Sequence, residues 1–177
     1  MPTLISGSTG VNKITDGTIV NADINASAAI VGTKLVMPTG SVLQVVSANY
    51  ATEWTSASTT YTDTGLTATI TPSATSSKIL VLCNQNGCGK SQSNASLRLH
   101  LYRGSTKLAD FGEDLGYTDT VENWNMVGSA SISYLDSPSS TSALVYKTQG
   151  NNNTATGSVR VQNSETTSTL TLIEIGA

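Results

Sequence analysis

Apolar and polar residues alternate in short runs from residue 41 to the C-terminus, and this period of two predicts β-strands. Residues 66–71 and 95–103 alternate strictly, so each predicts a strand with one apolar and one polar face. Residues 41–47 and 78–83 are more continuously apolar and predict mostly buried strands. Residues 168–175 predict a last strand that ties down the C-terminal end of the domain.

Turn-forming residues separate these runs and indicate the fold. Residues 104–105 predict a tight turn, the acidic stretch from 110 to 122 predicts a loop, and residues 151–153 predict a loop tip. The pattern gives about eight or nine strands and no long helix, which is typical of an all-β antiparallel β-sandwich. We expect a jelly-roll-like domain over residues 38–177, preceded by an extended N-terminal segment.

The segment of residues 1–37 contains no aromatic residue, and its aliphatic residues recur near every fifth position. The recurring positions are Ile14, Ile19, Ile24, Ile30 and Leu35, with a slip of one residue before Ile30. A spacing of five fits neither a helix nor a strand, but three chains wound about one axis would bury one such side chain per layer. The pattern favours an extended anchor and trimerising segment, and the alternative is a flexible leader.

Charge and composition exclude several classes of partner. Only 12% of the residues are charged, the net charge is −3, and the nine Lys and Arg residues are scattered singly. A nucleic-acid partner is therefore not expected, because phosphate binding needs a basic patch. The N-terminus has no signal-peptide pattern and no apolar run approaches the length of a membrane span, so we expect synthesis in a cytoplasm and no membrane insertion.

The two cysteines, Cys83 and Cys88, flank Asn86-Gly87, which is the strongest β-hairpin signal in the chain. A two-residue turn there would place the cysteines on opposite faces of the sheet, whereas a four-residue loop would place them close enough to form a disulfide. Reduced structural thiols are favoured because a cytoplasm disfavours disulfides. The spacing matches neither a Cys-x-x-Cys redox motif nor a zinc site.

Two stretches resemble proteins of tailed phages. Residues 10–30 are similar to segments of tail-fibre and head-appendage proteins, especially of marine and cyanobacterial phages. Residues 71–81, followed by 101–106, resemble the C-terminal β-domain of such proteins. The resemblance implies a non-enzymatic virion protein, assembled in the host cytoplasm as a homotrimer with its N-terminal region along the threefold axis.

The resemblance also bears on attachment. It implies that residues 1–37 bind the major capsid protein or another virion protein. Tail fibres of this type usually have a long shaft between anchor and tip, whereas here the anchor runs straight into the β-domain. This departure favours a capsid decoration (cement) protein or a short head fibre, and the alternative is a tail-fibre module that recognises host surface glycans.

The sequence contains no catalytic constellation, and we expect neither an enzyme nor a cofactor. The single histidine, His100, lies in a predicted strand at a position opposite in parity to its leucine neighbours, which predicts a surface histidine. A catalytic triad would need a placed nucleophile and a carboxylate beside it. The densest acidic cluster includes Asp110, Glu113 and Asp114, which are weak candidates for a calcium site because their spacing matches no known calcium loop.

Four aromatic residues, Tyr50, Trp54, Tyr61 and Tyr117, lie in or near predicted loops. Exposed aromatic rings beside amide side chains can stack on sugars, which is the basis of a host-glycan interpretation. The alternative is that the two tryptophans, Trp54 and Trp124, cover the ends of the sandwich or contact another subunit, because large aromatic side chains dominate interfaces. The sequence favours this second interpretation.

Overall fold

The computed structural model describes residues 37–117 and 125–177, and for Asn125 the backbone only. These residues form ten β-strands and a single 3-10 turn, Asn163–Glu165. The strands are β1 (Val42–Tyr50), β2 (Trp54–Ser56), β3 (Thr62–Ile70), β4 (Lys78–Lys90), β5 (Leu97–Arg103), β6 (Thr106–Leu115), β7 (Asn125–Asp136), β8 (Leu144–Asn152), β9 (Val159–Val161) and β10 (Ser168–Ile175).

All strand pairs are antiparallel and fall into two sheets. In the first sheet β10 lies between β1 and β4, β7 pairs with β4, and the short strands β9 and β2 extend the sheet from the end of β4. The second sheet has the order β3-β8-β5-β6. Without β2 and β9, the chain passes between two four-stranded sheets, as in a jelly roll. The predicted all-β, jelly-roll-like sandwich is confirmed.

Alternation along the strands places the apolar core between the sheets. Every second residue of β10 is buried, beginning at Ser168, and Leu170 and Leu172 lie in the core. One core cluster joins these residues to leucines and isoleucines of β3, β4 and β5, and a second cluster surrounds Val159 and Val161. The side-chain period of two predicted from the sequence therefore determines which residues form the core.

The first strand is less buried than its sequence predicts. Val42 and Val45 are 57% and 59% exposed. β1 is an end strand of its sheet, so only its inward residues, such as Val46, reach the core. The prediction of a mostly buried strand is wrong because a continuous apolar run does not distinguish a central strand from an end strand with an apolar outer face.

The predicted hairpin at Asn86-Gly87 is absent. β4 continues through both residues as far as Lys90, and its pairing with β7 shifts between Gln85 and Cys88, which marks a β-bulge. Gly87 has a φ of +62°, a value that a bulge glycine and a hairpin glycine share. The bulge changes the strand parity, so Cys83 and Cys88 are both buried, in different core clusters, and both are free thiols.

Two predicted loops are strands in part. Residues 110–115 of the acidic stretch form the second half of β6, residues 118–122 of that stretch lie outside the described residues, and β8 extends to Asn152. Asn151 and Asn152 are buried, and their amides bond backbone carbonyl groups of Thr59, Thr156 and Gly157. Side-chain hydrogen bonds therefore offset the low strand propensity of asparagine here.

The chain divides into two units, Met1–Val36 and Met37–Ala177. The anchor residues Ile14, Ile19, Ile24, Ile30 and Leu35 lie outside the described residues, so the anchor segment of residues 1–37 stays a prediction. Within the described ranges, no helix has the length and apolar character needed to cross a membrane.

Candidate functional site

The outer face of the first sheet is built from three uncharged rows. Strand register aligns Val45, Ile173, Leu80 and Leu135 across β1, β10, β4 and β7. The next rows are Ser47, Thr171, Leu82 and Ser133, and then Asn49, Thr169, Asn84 and Ser131. We call these three rows the uncharged face; Lys78 lies at its margin, opposite Ile175. Leu135 is 51% exposed and Leu82 is 38% exposed, so aliphatic carbon faces the outside of the domain.

The outer face of the second sheet has the opposite character. One row aligns Asp63, Gln149, His100 and Asp110 across β3, β8, β5 and β6. The next row is Thr67, Lys147, Tyr102 and Lys107. We call these two rows the charged face. Asp63 accepts hydrogen bonds there from the Lys147 ammonium at 2.9 Å and from the Gln149 amide at 2.7 Å. Partial burial would raise the pKa of Asp63, but these two donors hold it below its usual value.

His100 is the centre of a cluster on the charged face. Its Nε2 lies 2.7 Å from Asp110 Oδ1 and 3.9 Å from Glu113 Oε1. The ring stacks on Tyr61, with 3.7 Å between ring centroids and 21° between planes. Only 8% of the His100 side chain is exposed, and Nδ1 is buried without a hydrogen-bond partner among the described residues. The prediction of a surface histidine is therefore wrong, because Tyr61 covers the outward side of the strand.

Burial and nearby charges shift two pKa values in this cluster. Burial lowers the pKa of His100 below its usual value, although Asp110 and Glu113 oppose that shift. Burial, with the nearby Glu113 carboxylate, raises the pKa of Tyr61 to about 12. Both shifts favour the uncharged form of the side chain.

Arg98 divides the acidic residues into two groups. Its Nε lies 3.1 Å from Glu113 Oε2 and 3.1 Å from Asp114 Oδ1. Asp114 also accepts hydrogen bonds from Ser96 and Asn153, and the Arg98 hydrogen bond is the main reason that its pKa is lowered. Two of the three metal candidates, Asp110 and Glu113, therefore lie beside His100, whereas Asp114 lies on the other side of Arg98, which it shares with Glu113.

The sequence did contain a signal for the His100 contact. The predicted turn at Gly104-Ser105 folds β6 back along β5, which brings residue 100 close to residues 109 and 110. The bulges in this pairing then select Asp110 as the direct partner of His100. Once the acidic stretch is predicted to be a loop, this contact cannot be deduced.

The four aromatic candidates for glycan contact lie in different environments. Tyr50 ends β1 and packs over Gly65, and Trp54 begins β2 and lies against Gly150 and the second core cluster. Tyr61 is half-buried on His100, and Tyr117 is 55% exposed. The structure does not bring the four rings together, and a role of any of them in glycan binding stays a prediction.

No protein-family model and no curated protein matches this chain. Among solved structures, the VP2 subviral particle of infectious bursal disease virus is similar, with 13% sequence identity and a TM-score of 0.45. The similarity covers 86% of this chain and 37% of that chain, so the present chain spans little more than a third of the VP2 chain.

Proposed function

We propose that this chain is a non-enzymatic structural protein of a tailed-phage particle, a homotrimeric capsid decoration (cement) protein or short head fibre that residues 1–37 attach to the particle. The observation that carries the proposal is the uncharged face. A sheet face with aliphatic carbon in its first row gains free energy when another surface covers it, at about 25 cal/mol for each Å² of apolar area.

A second copy of the chain is the proposed occupant of this face. The chain has a net charge of −3, so two copies repel each other weakly, and a contact through faces without charged side chains adds no like-charge pairs to that repulsion. The charged face exposes Asp63, Asp110 and Lys107, whereas the rows of the uncharged face contain only aliphatic, hydroxyl and amide side chains. Closed symmetric homo-oligomers are the common form of such self-association.

The fold and the N-terminal sequence support a place in the virion. Jelly rolls are typical of viral capsid and lectin domains. Residues 10–30 resemble segments of phage appendage proteins, and the β-domain follows them without a shaft. An extended segment that pairs with strand edges of a capsid or tail protein would supply main-chain affinity without charged contacts.

The copy number of this chain in purified particles tests the virion role. Quantitative mass spectrometry would compare it with the major capsid protein. A ratio near that of the capsid protein supports decoration, and a ratio of about a few per cent supports a fibre. Complete absence from particles would overturn the virion proposal.

Lysine substitutions test the uncharged face as the subunit contact. Val45→Lys and Leu135→Lys place a charge in its first row, and Val145→Lys is the matched control because Val145 is 41% exposed on the outside of the other sheet. Sedimentation of the full chain over a dilution series should show that the first two variants dissociate at concentrations about tenfold higher than the wild type. For a trimer, whose dissociation constant scales with the square of concentration, this is a change of about 2.7 kcal/mol in the free energy of dissociation. If all three variants dissociate at the same concentration as the wild type, the uncharged face is not the contact between subunits.

The alternative, a receptor-binding module for host glycans, rests on Tyr117 because its ring is exposed. A glycan array of the full chain, with Tyr117→Ala beside it, tests this function. Binding that the substitution weakens supports the alternative, whereas an array without binding contradicts it. Trp54→Ala is a poor test because Trp54 packs against Gly150 and its loss disturbs the fold.

A further inference from the structure

We propose that His100, Asp110 and Glu113 bind one divalent transition-metal ion of the kind that Zn²⁺ and Co²⁺ represent. The three residues lie on the adjacent strands β5 and β6, and their ligand atoms all lie within 4.8 Å of one another. This inference concerns the β-domain alone and does not depend on the proposed virion role.

The distances suit a small ion after a slight adjustment. Bonds of about 2.0–2.2 Å from zinc to nitrogen and oxygen hold neighbouring ligand atoms about 3–3.5 Å apart. His100 Nε2 and Asp110 Oδ1 are 2.7 Å apart, so they need to separate by a few tenths of an ångström, and Glu113 Oε1, at 3.9 Å, needs to approach. Both carboxylates are exposed and can rotate, whereas the stacked imidazole is fixed.

The histidine distinguishes this cluster from an ordinary group of acidic residues. Its side chain is more than nine-tenths buried, and its Nε2 is directed at the two carboxylates. Nδ1 is buried without a partner among the described residues, so in either tautomer of the neutral ring one nitrogen lacks a suitable partner. With the proton on Nε2, that nitrogen donates to Asp110 and Nδ1 is left without a donor. With the proton on Nδ1, the Nε2 lone pair faces carboxylate oxygens, and an ion between them converts this repulsion into two attractions.

The surrounding charges favour a cation and orient its ligands. Arg98 holds Oε2 of Glu113, which leaves Oε1 directed toward His100. Lys107 contacts Asp110 at 3.0 Å, so the carboxylates of Asp110, Glu113 and Asp114 meet the two cations Lys107 and Arg98. Three carboxylates and two cations leave this group with one net negative charge, which favours a bound cation. The contacts of Arg98 and Lys107 with the carboxylates are of the kind that commonly fix the orientation of metal ligands.

The donor set selects the class of ion. Imidazole nitrogen together with carboxylate oxygen suits zinc and its first-row neighbours, whereas calcium and magnesium prefer oxygen ligands throughout. A bound ion would link β5 to β6 at the bulged part of their pairing, and it would stabilise the folded domain because the unfolded chain does not assemble the site.

Cobalt titration of the full-length protein tests the proposal. After treatment with a chelator, Co²⁺ should give visible d–d absorption that saturates at one ion per chain, and Zn²⁺ should displace it. Asp110→Asn and Glu113→Gln should each weaken binding by about tenfold or more. Asp63→Asn, which changes a carboxylate on the same face outside the cluster, should bind as the wild type does. Both test positions are exposed, so these variants should fold, and their melting temperatures without metal check this.

Three outcomes would overturn the proposal. The first is visible absorption that does not exceed that of free Co²⁺ at millimolar concentration. The second is absorption that both variants retain at wild-type affinity, which would identify an adventitious ion. The third is a sulfur-to-cobalt charge-transfer band, which would assign the ion to Cys83 and Cys88 instead. An increase in melting temperature with Zn²⁺ in the wild type and Asp63→Asn, but not in Asp110→Asn or Glu113→Gln, would support the proposal by a second readout.

Discussion

The hydroxyl of Ser77 donates a 2.7 Å hydrogen bond to the carboxylate of Glu174, and both residues are buried. Glu174 also accepts bonds from the backbone N–H and the hydroxyl of Ser73 and from the amide of Gln44. Burial alone raises the pKa of a carboxyl group, but these donors lower that of Glu174 to about 2. The Glu174 side chain therefore links β10 both to the β3–β4 connection and to β1.

Replacement of Glu174 by glutamine should destabilise the domain. The serine hydroxyls can rotate toward the new amide, but the Ser73 N–H would lose its charged acceptor. Hydrogen bonds to a charged group contribute about 1.5–3 kcal/mol, so we expect a loss of about 2 kcal/mol. Urea unfolding at one fixed protein concentration measures this loss in the free energy of unfolding. The control is Glu165→Gln, because Glu165 is exposed. Equal midpoints for the two variants would contradict the role of Glu174.

The same carboxylate should make the domain sensitive to acid. The folded pKa of about 2 lies below the ordinary value of 4.5, so below pH 4.5 the unfolded chain binds the proton more readily. The stabilisation is complete above the unfolded pKa and is lost as the pH falls from 4.5 toward 2. It amounts to about 3 kcal/mol. Urea midpoints measured from pH 7 to pH 3 should fall more steeply for the wild type than for Glu174→Gln, and parallel profiles would contradict this assignment.

Much of the fold could be predicted from the sequence because alternation records which side of a strand is buried. The strands around Leu66 and Leu172 follow that rule, and so does the all-β class. The bulge at Gly87 could not be predicted, because a hairpin and a bulge both require a positive φ, and only the distant partner strand β7 decides between them.

The candidate site was less predictable than the fold. Asp110 and Glu113 lower the strand propensity of their segment, which favours a loop in a local analysis. In the structure, Arg98, Lys107 and His100 face them, so tertiary contacts outweigh local preference. Pairing across the β5–β6 hairpin, with its bulges, brings these residues together, and the local sequence does not specify that register.

The two cysteines should be unreactive in the folded protein. Burial, with a smaller effect of the neighbouring Cys88, raises the pKa of Cys83 to about 12, and burial raises that of Cys88 to about 11. The thiolate is the reactive form, so an aromatic disulfide reagent should label neither thiol at pH 8 without urea and both in urea. Thr141→Cys adds an exposed thiol as the control. Native Cys83 or Cys88 reacting as fast as this thiol would contradict the burial.

Substitution of Gly87 by alanine should test the bulge directly. A Cβ atom there would overlap Thr166 Oγ1 and the backbone nitrogen of Asn163, and the φ of +62° is itself unfavourable for alanine. Gly104→Ala is the matched control, because Gly104 has a φ of +56° but no atom within 4 Å of its Cβ position.

The two alanine variants separate backbone strain from steric overlap. Gly104→Ala should lower the free energy of unfolding by about 1 kcal/mol through strain alone. Gly87→Ala should lower it by about 3 kcal/mol or more, because overpacking against backbone adds to the same strain. Urea unfolding of both variants measures the difference. Equal losses would mean that residues 163–166 do not pack against Gly87, and the positive φ alone would then account for the preference for glycine at this bulge.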